Sequence, residues 1–251
     1  MSPFATTVVI FGCVFGGALL GMTLRALLPE SHASSDSREA VRLGMGLVAT
    51  TVALVLGLLI ASAKGFYDTQ NTEMTEAAAN VVLLDRILVH YGAEAKDARA
   101  ALRSTVASLI ERAWQRDGRG KTSFDPAAAN GEVMWDKIQE LTPATDNQRS
   151  LRTQALGLAV QLGRIRWLMV EQKSSALPRP LLVIMVAWLT LLFISFGLFI
   201  RPNLTVVISL LASSLAVCSA IFLILEMFQP YVGLIQVSDA PLRAALAQLG
   251  Q

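Results

Sequence analysis

The chain has 251 residues, of which 53% are hydrophobic and only 16% charged, with a mean hydropathy of +0.52. Soluble domains carry about 25% charged residues, so this composition excludes an ordinary soluble fold and points to membrane spans. The formal net charge of +2 comes with no basic cluster interleaved with aromatics, and no nucleic-acid partner is expected.

A helix that crosses a hydrocarbon layer of roughly 30 Å requires about 20 apolar residues. Four uncharged runs meet this: Phe4–Leu24, Leu43–Ala63, Leu181–Ile200 and Leu204–Leu225. The first lacks a basic leading segment, and its apolar stretch is too long for a typical signal peptide, so it reads as a span. Cys13 and Cys218 both fall inside spans, with no disulfide framework and no metal-type Cys/His spacing.

The connector 25–42 contains "RALLPESHASS", with Glu30 and His32 in a polar turn after Pro29. Two such residues are too few for a metal site, and the chain's other histidine is His90. A solvated turn and a point of proton or ion entry both remain open readings.

Span two places Gly46, Thr50, Ala53, Gly57 and Ala61 on one face. Small residues let helix backbones approach closely, so Gly46, Thr50 and Gly57 are expected to pack against a neighbouring helix. The other face carries Leu47, Thr51, Leu54 and Leu58. It meets either lipid or a hydrophobic constriction that gates by dewetting.

Residues 65–179 form a polar insert that reads as helix throughout. Val81, Leu84, Leu88 and Tyr91 recur at helical spacing, as do Leu102, Val106, Leu109, Ala113 and Trp114. Gly92 separates these two helices as a C-cap. "DGRGKTSFDPAAANG" reads as a loop by its glycines and proline. A long helix follows over 146–173, with Leu151, Ala155, Leu158, Leu162, Ile165 and Met169 on one face. Only Gly65 interrupts the passage from span two into the insert, so the insert continues that span as helix.

Spans three and four are joined by a short turn at Arg201–Pro202–Asn203. Span four carries Ser209, Ser213, Ser214 and Ser219, which serve helix packing in part. Glu226 closes span four, about 34 Å from Asn203 at 1.5 Å per residue. An acid at that interfacial depth costs far less than one at the bilayer centre. Lys64 and Arg179 bound other spans at the same depth, so a structural ion pair between Glu226 and one of them is the leading expectation. Ion coordination and plain solvation are the alternatives. Pro230 then stops the helix.

The expected fold is all-α: an integral membrane protein with four transmembrane helices and a cytosolic helical insert between the second and third. The domains are 1–64 (spans one and two), 65–179 (insert), 180–228 (spans three and four) and 229–251 (cytosolic tail). Four spans put both ends and the insert on one side. Lys64, Arg164, Arg166, Lys173, Arg179 and Arg243 lie on that side, against Arg25, Arg38, Arg42 and Arg201 on the other. The excess assigns it to the cytoplasm. No Ser/His/Asp set, phosphate-cradling loop or metal cluster is present, so neither an enzyme nor a cofactor is expected.

Four stretches carry a family resemblance: "LPESH", "GLVATTVALVLGLLIASA", "FGLFIRPN" and "EMFQPYVGLIQVSDAPLRAAL". With these the chain resembles the bestrophin-like group of bacterial membrane proteins. The last stretch is similar, more loosely, to the end of the fourth span in bestrophin anion channels. Glu226, Pro230, Tyr231, Gly233, Pro241 and Leu242 stand in that order here. The resemblance implies a bacterial inner-membrane homo-oligomer, a pentamer, that conducts ions such as chloride, with span two lining the pore at Thr51, Leu54 and Leu58. Two features depart from bestrophins. Span two has no phenylalanine before Phe66, and no calcium-clasp acid cluster follows Pro230. The competing function is a non-conducting membrane scaffold whose cytosolic helices bind a partner.

Overall fold

The computed structural model describes residues 2–27, 35–114, 131–173, 179–200, 203–231 and 233–250. All regular structure among them is helical. The helices are α1 (Pro3–Leu27), α2 (Ser35–Tyr91), α3 (Lys96–Trp114), α4 (Gly131–Gln139), α5 (Asp146–Lys173), α6 (Arg179–Phe199), α7 (Leu204–Met227) and α8 (Ala240–Gln248), with a 3₁₀ turn at Ala93–Ala95. α1, α2, α6 and α7 are long and apolar enough to cross a membrane. The connector after span one is shorter than the expected 25–42, because α1 reaches Leu27 and α2 begins at Ser35. The loop read at 117–131 falls outside the described residues except for Gly131, which opens α4.

The helix boundaries have local causes. Pro3, Pro180 and Pro241 stand in the first turns of α1, α6 and α8, where a missing N–H costs nothing and the fixed φ suits a helix. α2 holds no proline over its 57 residues and ends at Gly92, whose φ of +125° suits a residue without Cβ. α5 starts on a Thr-x-x-Gln pattern. The Gln148 N–H donates to Thr145 Oγ1 at 3.2 Å, and Gln148 Oε1 accepts from the Ala144 N–H at 2.9 Å. That is close to a reciprocal capping box. Gln148 Nε2 also donates to the Tyr91 carbonyl at 3.0 Å, satisfying an orphan acceptor at the end of α2. Arg152 does the same for α4, donating to the Gln139 carbonyl at 2.6 Å.

The chain divides into two compact units, one of residues 1–65 with 177–228, the other of 66–176 with 229–251. In the first, α1 packs on α6 and α7. Its core joins Ile10, Val14 and Ala18 of α1 to Val52, Leu59 and Ala63 of α2, Leu189 and Phe193 of α6, and Cys218, Ile221 and Ile224 of α7. Phe4, Val8, Leu47, Val183, Leu204 and Leu215 are exposed, as an apolar surface toward lipid requires.

α1 and α6 approach closely. A Cβ added at Gly21 would overlap the Ile194 carbonyl and lie 3.1 Å from the Gly197 Cα, and one at Gly197 would overlap the Ala18 carbonyl. Gly17 faces Thr190 in the same way, with a built Cβ 3.0 Å from its Cγ2. Gly17 and Gly21 are a GxxxG pair. Among the described residues, no helix packs closely on Gly46, Thr50 or Gly57. All three are exposed, and a Cβ at Gly46 or Gly57 meets nothing within 4 Å.

The second unit is built on the later part of α2. Met74, Val81, Leu84 and Leu88 pack with Leu102 and Val106 of α3, Met134 and Ile138 of α4, and Ala155, Ile165 and Met169 of α5. α3 contacts α4 and α8, and α4 contacts α5. Beyond α7, Val237, Leu242, Ala245 and Leu249 belong to this same core. Arg103 Nη1 donates to the Leu249 carbonyl at 2.7 Å.

The Tyr91 hydroxyl is buried and has no hydrogen-bond partner among the described residues. A buried polar group left unpaired costs about 1–3 kcal/mol. Tyr91→Phe is therefore expected to leave thermal stability unchanged or raise it by about 1 kcal/mol. A clear drop in Tm of the purified protein would show that the hydroxyl is bonded after all.

Candidate functional site

The candidate site is the apolar stretch of α2 in the first unit. Its covered side is a stripe of Met45, Val48, Ala49, Val52, Val55, Leu56, Leu59 and Ala63. This i, i+3, i+4 pattern is one face of a helix. The sequence directed attention to two other stripes, and both lie open. Gly46, Thr50, Ala53, Gly57 and Ala61 are exposed, as are Leu47, Thr51, Leu54 and Leu58. Leu54 is 65% and Leu58 64% exposed. The two stripes are neighbours and merge into one broad surface. Of the four span-length helices α2 is the least covered, with 11% of its most apolar window buried against 28–33% for the others.

The hydroxyls on this surface are committed. Thr50 Oγ1 donates to the Leu47 carbonyl at 2.8 Å, and Thr51 Oγ1 donates to the same carbonyl at 2.9 Å. Each threonine has one hydroxyl proton, so neither offers a donor to a passing anion. The surface presents leucine side chains, methyl groups and glycine backbone.

Glu226, on the last turn of α7, is only 3% exposed. Lys64, on α2, is exposed, and both residues are engaged by interaction partners. The Arg179 side chain, Glu30 and His32 lie outside the described residues. No cluster of three or more metal-ligating side chains occurs among the described residues.

In the second unit two polar arrangements were not legible in the sequence. Asp85 of α2 is buried and takes a two-pronged contact from Arg99 of α3, with Nε donating to Oδ1 at 2.7 Å and Nη2 to Oδ2 at 3.2 Å. The hydrogen bond to Asp85 pushes the Arg99 guanidinium further up from its ordinary value. The other arrangement ties the segment after span four to α2. Tyr231 donates to Gln70 Oε1 at 2.8 Å, and Tyr67 donates to the Gln236 carbonyl at 3.2 Å. Gln70 is fully buried, and its Nε2 donates to Glu73 at 3.4 Å. Burial, and then the charge of Glu73, push the Tyr231 phenol well above the usual tyrosine range, so it stays a donor. The Val237 N–H closes the loop on the Pro230 carbonyl at 2.8 Å, and Gly233 turns it with φ of +114°. Gln70 stands among the polar residues of "YDTQNTEM", about two turns past span two, where nothing in the sequence singles it out.

No curated protein and no solved structure matches the chain. A family model described as the bestrophin-like domain matches residues 12–242. That match takes in α1 from residue 12 onward, the other three span-length helices, and the polar helices between them. The chain belongs to the bestrophin-like family.

Proposed function

We propose that the chain forms a homo-oligomeric, anion-conducting channel of the bacterial inner membrane, with the apolar stretch of α2 around a central pore. The supporting observation is the open surface of α2, which one chain leaves almost wholly uncovered. A ring of copies, five by resemblance to bestrophins, covers part of it and leaves the rest on the axis. Gly46, Thr50 and Gly57 pack between copies, where small residues permit close approach. Thr51, Leu54 and Leu58 form the narrow part. Both ends of the chain and the polar helices face the cytoplasm, in line with the basic residues beside their spans. Glu226 is the structural acid at that interface, paired with Lys64 or Arg179.

The proposed neck has no charge and no free hydroxyl proton. It therefore works by dewetting, and selectivity arises from the ease of shedding water, not from a charged ring. Large, weakly hydrated anions pass more readily than chloride in such a neck. Leu54→Ala with Leu58→Ala widens it, and chloride flux into liposomes carrying the purified protein is expected to rise severalfold. Unchanged flux beside clear wild-type conduction would move the pore to another helix. A single-particle image with helices filling the axis would favour the non-conducting scaffold.

A further inference from the structure

Between α2, α3, α4, α5 and α8 the second unit has a half-open cleft of about 390 Å³, within the size range of small-molecule sites. Its walls are apolar, formed by Val81, Leu102, Val106, Met134 and Ile165 among others. Among the described residues, one cation lines it. Arg166 has a buried Nε with no hydrogen-bond partner among the described residues, and its guanidinium carbon lies 5.9 Å from the centre of the Trp167 ring. Glu132 and Asp136 also line the cavity but are exposed to solvent.

We infer that this cavity is a binding site for a small amphiphilic monoanion, an aliphatic carboxylate, with its chain among the apolar walls and its head on Arg166. An unsatisfied buried donor is costly, and a guanidinium matches a carboxylate with two parallel bonds. The two solvated acids weigh against additional negative charge on the ligand, so a monoanion is preferred to a dianion such as a phosphate monoester. An apolar alcohol fits the walls but gives the guanidinium only a neutral partner. The inference concerns the helical unit alone and stands whether or not the membrane unit conducts.

Trp135 and Trp167 line the cavity and report on it. Full-length protein in lipid nanodiscs is titrated with octanoate and separately with 1-octanol while tryptophan fluorescence is followed. Octanoate is expected to give a saturable change, with 1-octanol about tenfold or more weaker. Arg166→Gln is expected to reduce octanoate binding to the level of the alcohol. The signal is expected to vanish when Trp135→Phe and Trp167→Phe are combined. Equal half-saturation by acid and alcohol in the unaltered protein would overturn the site, and needs no variant. So would a response that survives loss of both tryptophans, or no saturable response.

Discussion

Gly21→Leu is expected to abolish the native membrane unit. A Cβ at that position overlaps the Ile194 carbonyl, and a main-chain oxygen cannot turn aside as a side chain can. Overpacking costs about 1–3 kcal/mol where neighbours adjust. Here the adjustment has to separate α1 from α6 along their contact, so the cost reaches or passes the upper end. Gly12→Leu is the matched control. It lies on the same helix, and a Cβ there meets nothing within 4 Å. Size-exclusion profiles in detergent are expected to show aggregation for Gly21→Leu and a wild-type peak for Gly12→Leu. Identical profiles would mean that the two helices do not approach closely at Gly21.

Arg99→Met should be nearly as damaging to the helical unit. Asp85 has a side chain only 5% exposed, and Arg99 is 27% exposed. Removing one partner of a buried pair costs about 3–5 kcal/mol, because the remaining charge is stranded. The partial exposure of Arg99 admits some water, which places the loss near the lower figure. Replacing both by apolar residues, Asp85→Leu with Arg99→Met, is expected to recover much of it. The measurement is a set of Tm values for wild type, both single variants and the double. If Arg99→Met melts with wild type, the pair contributes nothing.

The spans were legible in the sequence because bilayer thickness is a strong constraint. An uncharged run of some 20 residues has few other uses, and α1, α6 and α7 end within a few residues of the runs in the sequence. The 146–173 helix was equally plain, since its apolar face repeats over many turns. Which helix faces touch was not legible. Small-residue stripes occur on both α1 and α2, at Gly17/Gly21 and at Gly46/Gly57. The choice depends on whether the partner helix also thins at the same level. Gly197 of α6 does this for Gly21, and no local pattern announces that match. The Asp85–Arg99 pair escaped for a similar reason. Asp85 sits in the apolar run "NVVLLDRIL", and its partner lies beyond a helix end and a turn.

The position of Val237, Leu242, Ala245 and Leu249 in the core of the helical unit also bears on the order of synthesis. Arg103 meets Leu249 across 146 residues of chain, and Tyr67 meets Gln236 across 169. A ribosome that has finished the insert must still thread two more membrane helices before the last layer of this core exists. Meanwhile the apolar sides of α2 and α3 meant for that layer have no cover, and such half-built species are prone to aggregate. A pause or premature stop after span four would thus leave a chain that has all its span-length helices yet is marked as unfinished by its polar helical unit. Quality-control proteases that sense exposed apolar surface could distinguish that product from the completed protein.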